Sequence, residues 1–209
     1  KGESRENLLI VGPGCTLTAP NGNFINGYSG RYAHFEMEEG STVNLKGVWG
    51  RRRYNGIPAS DGTKHDSIFR MNGGTLNIGA HGFLAGYPAY ASSSQGSEPI
   101  NVHYNESGPV FRLNNGTLGA FEDTVDSNSY RAPGVNIAFG ERGDLAGKVS
   151  ITPNGHVLNL RTGLKGYSDV TVKGSGTFQS SRYSMGIPRG RWKVEAGVDA
   201  QLHGAAGFA

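Results

Sequence analysis

Two places in the chain hold carboxylates close enough in sequence to share a substrate. Glu122, Asp123 and Asp126 fall together, and Asp61 and Asp66 flank a Lys64-His65 pair. Hydrolysis of a glycosidic bond needs two carboxyl groups held about 5 to 9.5 Å apart, and Glu122, Asp123 and Asp126 are the residues that would supply them. Their spacing argues against it, because neighbours on an extended strand point to opposite faces. Asp61 and Asp66 are the candidate metal ligands, with calcium the metal they would suit. Yet their spacing fits neither an EF-hand loop nor a calcium-binding nonapeptide repeat. The six histidines, His34, His65, His81, His103, His156 and His203, show no H-x-x-x-H or H-E-x-x-H spacing. No G-x-S-x-G elbow is present, and Gly12-Pro-Gly14 lacks the Lys-Ser/Thr of a phosphate loop, so it reads as a turn. Solvated loop carboxylates, no cofactor and no enzyme activity are the simpler expectation.

Binding chemistry is better represented. Arg51-Arg52-Arg53-Tyr54 is the sharpest charge feature, and guanidinium forks match sulfate and carboxylate. Tyr87, Tyr90 and Tyr104 lie in one polar stretch and can stack on sugar rings or pack a flat partner. Twenty Lys and Arg against 17 Asp and Glu give only +3, with no basic stripe interleaved with aromatics, so nucleic acid is not an expected partner. The one cysteine, Cys15, excludes an internal disulfide and a Cys-based zinc site, and is expected to be a small buried hydrophobe. No apolar run approaches the roughly 20 residues that span a bilayer. Lys1–Asn7 is polar and Leu8–Val11 is short, so no signal peptide is expected.

The elements that must position these groups are strands. Thirty-four Gly and 9 Pro in 209 residues break almost every stretch long enough for a helix. One phrase recurs: Phe35-Glu-Met37 with Gly40, Val43 and Leu45; Phe69-Arg-Met71 with Gly74, Leu76 and Ile78; Phe111-Arg-Leu113 with Gly116 and Leu118. Looser copies start at Leu9, Val149, Val170 and Trp192. Each copy reads as strand, tight turn, strand. From Phe35 onward the copies start 34, 42, 38, 21 and 22 residues apart. The last two spacings suggest the unit, and the longer ones either two units or one unit plus a long loop. A propeller blade would need four strands of its own, and an antiparallel sandwich does not predict a recurring phrase. The expected fold is therefore a single all-β domain over 1–209, a β-solenoid with long loop insertions at Gly50–Ser67, Gly86–Pro109 and Glu122–Pro133. Phe35, Phe69 and Phe111 are expected to stack in one core, with later copies continuing the column.

Asn72-Gly-Gly-Thr-Leu-Asn-Ile78, Asn114-Asn-Gly-Thr-Leu118 and Gly174-Ser-Gly-Thr-Phe178 resemble the repeats of bacterial autotransporter passenger domains. The resemblance covers about half the chain, in the repeats and not the insertions. It implies a single-stranded, right-handed parallel β-helix at the bacterial surface or outside the cell, acting as an adhesin on a glycan or a surface protein. Two other readings stand beside it. One is a polysaccharide-degrading lyase or hydrolase β-helix or a phage tail protein; the other is a filament subunit that associates end to end.

Overall fold

The computed structural model describes residues 7–26, 33–50, 68–85, 111–124, 137–140, 146–160, 166–180 and 190–202. Among them the chain forms strands and no helix. The first eight strands are β1 (Asn7–Val11), β2 (Thr16–Asn26), β3 (Ala33–Met37), β4 (Thr42–Gly50), β5 (Ile68–Met71), β6 (Thr75–Ala85), β7 (Phe111–Leu113) and β8 (Gly116–Ala120). The rest are β9 (Ile137–Phe139), β10 (Lys148–Thr152), β11 (Val157–Asn159), β12 (Asp169–Val172), β13 (Gly176–Ser180), β14 (Trp192–Val194) and β15 (Val198–Leu202). They build three sheets. Sheet A runs β1-β3-β5-β7-β9, sheet B runs β2-β4-β6-β8-β10-β12-β14, and sheet C runs β11-β13-β15. Every pairing is parallel.

Alternation sets the inner face. Along β3, Phe35 and Met37 are buried while Glu36 between them is half-exposed; β5 and β7 repeat the pattern with Arg70 and Arg112. The register then places Phe35 opposite Phe69 and Phe69 opposite Phe111. Phe35 and Phe69 stack with ring centroids 4.6 Å apart, and Phe69 and Phe111 meet at 6.2 Å, tilted by 54°. All three are fully buried in the one core cluster that the three sheets share. Between strands the chain turns on glycine. Gly74 sits at φ +76°, and a Cβ there would lie 2.5 Å from the Ser41 carbonyl oxygen on the neighbouring pass.

The later phrases do not continue the phenylalanine column. Ile137 takes that position opposite Phe111, with Phe139 opposite Leu113. Val149 instead lies opposite Gly116, and Ile151 opposite Leu118. The first strand of a late phrase thus stacks on the second strand of an early one, and its own second strand enters sheet C. Alternation fixes which side of a strand faces the core, but not which sheet the strand joins.

β2, β4 and β6 run through a bend marked by register shifts at Ala19/Asn23 and Leu45/Gly47. Beyond it, Asn26, Gly50 and Ala85 lie side by side. On the fourth pass the Phe121 N–H donates to the Ile78 carbonyl at 3.1 Å, and the Thr124 N–H to the Val157 carbonyl at 2.8 Å. Glu122–Thr124, expected to open an insertion, are therefore part of the hydrogen-bonded stack.

One end of the stack is formed by β1 and β2, the other by β14 and β15. Cys15, expected to be buried, is exposed. It lies in the turn between β1 and β2, where no further strand among the described residues covers it. Leu9 stands opposite Phe35 yet is 43% exposed for the same reason.

Candidate functional site

The bend brings together the only described members of the acidic cluster. A carboxylate oxygen of Glu122 accepts the Ala80 N–H at 3.0 Å, one pass before its own. Asp123 turns the other way: it accepts the Val157 N–H at 2.8 Å and sits 3.4 Å from His156 Nδ1, one pass later. Thr124 completes the clasp, donating to the Val157 carbonyl at 2.9 Å and accepting the Asn159 N–H at 2.7 Å. Glu122 and Asp123 are each committed to the backbone of a different neighbour. They hold the bend, and they do not converge on one point as an acid–base pair must. Asp126 lies outside the described residues.

His81 occupies the same bend. Its Nδ1–H donates to Asn23 Oδ1 at 2.8 Å, across three passes of the chain. Burial lowers its pKa below the ordinary 6.5, Lys46 lowers it further, and Glu122 opposes both. Among the described residues, no group of three or more His, Cys, Asp or Glu comes together to hold a metal ion. No helix among them is long and apolar enough to cross a membrane.

The expected binding residues Arg51, Arg52, Arg53, Tyr54, Tyr87, Tyr90 and Tyr104, and the candidate ligands Asp61 and Asp66, lie outside the described residues. The points where their segments leave and rejoin the sheets are described. Segments 27–32, 51–67 and 86–110 leave from Asn26, Gly50 and Ala85, which are neighbours in register. They return into β3, β5 and β7, whose Phe35, Phe69 and Phe111 are also neighbours. All three segments are anchored along one edge.

A second arrangement was not anticipated from the sequence. On the outer face of sheet A, Glu36, Arg70 and Arg112 stand in one row. Arg70 Nη1 donates to Glu36 Oε1 at 3.3 Å. The Nε groups of Arg70 and Arg112 are buried with no acceptor among the described residues. The signal was present: these are the middle residues of Phe-Glu-Met, Phe-Arg-Met and Phe-Arg-Leu, and only the inward positions of the phrase were followed. Elsewhere amide ladders, Asn77 to Asn44 at 2.8 Å and Gln179 to Gln201 at 2.8 Å, tie neighbouring strands. Comparison with family models, with curated proteins and with solved structures finds no match to this chain.

Proposed function

We propose that this chain is a single-stranded parallel β-helix, right-handed as in the passenger domains its repeats resemble, that acts as a non-catalytic binding scaffold outside the cell or at the bacterial surface. Its ligand is a glycan or a surface protein, held by the insertions. The observation that carries this reading is the shared edge. Three segments, two of them holding Arg51-Arg52-Arg53-Tyr54 and Tyr87, Tyr90 and Tyr104, are anchored at neighbouring positions on parallel strands. A rigid scaffold that projects loops from one side is a common way to build a binding surface. The divergence of Glu122 and Asp123 favours this over a polysaccharide-degrading enzyme. The test is a glycan and matrix-protein panel on wild type and on the variant Arg51→Ser, Arg52→Ser, Arg53→Ser. Binding to anionic hits weakens and its salt dependence flattens, because exposed charge attraction is screened over about 8 Å at physiological ionic strength. Unchanged binding to every anionic hit removes the Arg cluster from the site. Release of reducing or unsaturated ends from uronic-acid polymers would restore the enzyme reading.

End-to-end association is a second reading, favoured by one end of the stack. Residues 7–26 hold no charged side chain, and Leu8, Leu9 and Ile10 are 57%, 43% and 49% exposed. Edge strands in stable monomers are usually guarded by charges. Sedimentation velocity across concentrations reads this directly: association that Leu9→Lys abolishes supports it, and a monomer at every concentration removes it.

A further inference from the structure

The row on sheet A has chemistry of its own. Parallel pairing sets Arg70 beside Arg112 on strands about 4.8 Å apart, and like charges placed directly opposite one another repel. Glu36, on the far side of Arg70 at 3.3 Å, offsets one of the two charges. The other neighbour of Arg112 is Ala138, which brings no charge. The row therefore carries one net positive charge, centred towards Arg112. The Nε of each guanidinium is sealed from water without an acceptor among the described residues, so the cations are partly dehydrated, and a partly dehydrated cation attracts an anion more strongly than one in bulk water. The Arg70 side chain is still 37% exposed, which leaves its outer N–H groups within reach of a ligand.

We propose that Arg70 and Arg112 form a binding site for a monoanionic oxyanion, a carboxylate or a sulfate ester, on the outer face of sheet A. Guanidinium forks match the paired oxygens of both groups. The single net charge selects a monoanion. A phosphate monoester, carrying about 1.5 to 2 negative charges at pH 7, exceeds what the row neutralises and faces Glu36. Its two arginines belong to β5 and β7 of the sheet itself and not to the insertions.

The test follows the arginine side-chain Nε–Hε signals by NMR at fixed ionic strength, during titration with sodium glucuronate and with sodium methyl sulfate. Glucose and sodium methyl phosphate are the controls. The signals of Arg70 and Arg112 shift saturably with one or both monoanions and not with glucose; the responding probe says whether the site takes carboxylate, sulfate or both. Arg112→Ala loses the response. Glu36→Gln removes the competing carboxylate and tightens binding, a gain that a merely structural role for the row does not produce. The variant Arg51→Ser, Arg52→Ser, Arg53→Ser keeps the response. The assignment is overturned by the absence of saturable shifts with either monoanion, by tighter binding of methyl phosphate, by Glu36→Gln binding no more tightly than wild type, or by loss of the response in the triple variant.

Discussion

Phe69 lies between Phe35 and Phe111, fully buried, and its ring has a neighbour on either side. Phe69→Ala removes both contacts and leaves a cavity that the flanking strands, held by their own ladders, cannot close. A loss of about 3 to 5 kcal/mol is expected, read as a shift of the denaturation midpoint. His81 adds a pH dependence. Its folded pKa is depressed, chiefly by burial, so the unfolded chain binds more protons than the folded one near and below 6.5. Its contribution is therefore complete above that value and is lost as the pH falls through it towards the folded pKa. Melting curves from about pH 7.5 to pH 5 should show a decline that His81→Gln makes shallower; equal slopes for the two proteins would exclude His81. At this scale the phenylalanines were legible because alternation marks inward positions. Cys15 was not, because its burial depends on a neighbouring strand, and none among the described residues lies beyond β1 and β2.

Turns join the elements, and two glycines with similar backbones separate conformational strain from crowding. Gly14 (φ +74°) has open space where a Cβ would go, whereas a Cβ on Gly74 (φ +76°) would meet Ser41 at 2.5 Å. Gly14→Ala carries only the left-handed penalty of about 1 to 2 kcal/mol. Gly74→Ala adds the displacement of a neighbouring backbone, so its melting temperature should fall clearly further. Comparable losses would mean that the turn relaxes freely. Strand, turn and strand were readable in every copy, since each carries alternation and a glycine. What could not be read was the slip at Val149. Ile137-Ala-Phe139 fills the next place in sheet A, and the strand that follows it into sheet B, β10, starts only at Lys148. A pattern search keyed to the whole phrase passes over it and assigns the next full copy to the wrong sheet. The bend was also hidden. Glu122 and Asp123 looked like a solvated acidic loop, and only the folded chain shows which backbone amides they receive.

Across the whole molecule, hydrogen bonds link each pass mainly to the passes before and after it. Stability in such a stack is close to a sum of nearest-neighbour terms, and opening starts where a pass has one neighbour. Amide exchange should therefore be fastest in β1 and in β14 and β15, and slowest in β5 to β8. Uniform protection would indicate all-or-none opening. The two ends differ in character. Residues 7–26 hold no charged side chain, while Arg191 pairs with Asp169 at 3.0 Å and Lys193 with Glu195 at 2.9 Å at the other end. Among the described residues, ion pairs therefore mark one end and the exposed Leu8, Leu9 and Ile10 the other.

Parallel pairing in a single order also has a mechanical consequence. The strands at the chain's two ends lie at opposite ends of the stack, and the ladder bonds run along the line that joins them. A force applied to the termini loads those bonds one after another, so the chain unzips pass by pass instead of shearing a whole sheet at once. Neighbouring late passes are offset by 21 and 22 residues, which at about 3.3 to 3.6 Å per residue release roughly 70 to 80 Å each. The pass from Phe69 to Phe111 holds 42 residues and releases about twice that length. A force–extension trace would then show unequal steps whose lengths follow the insertions.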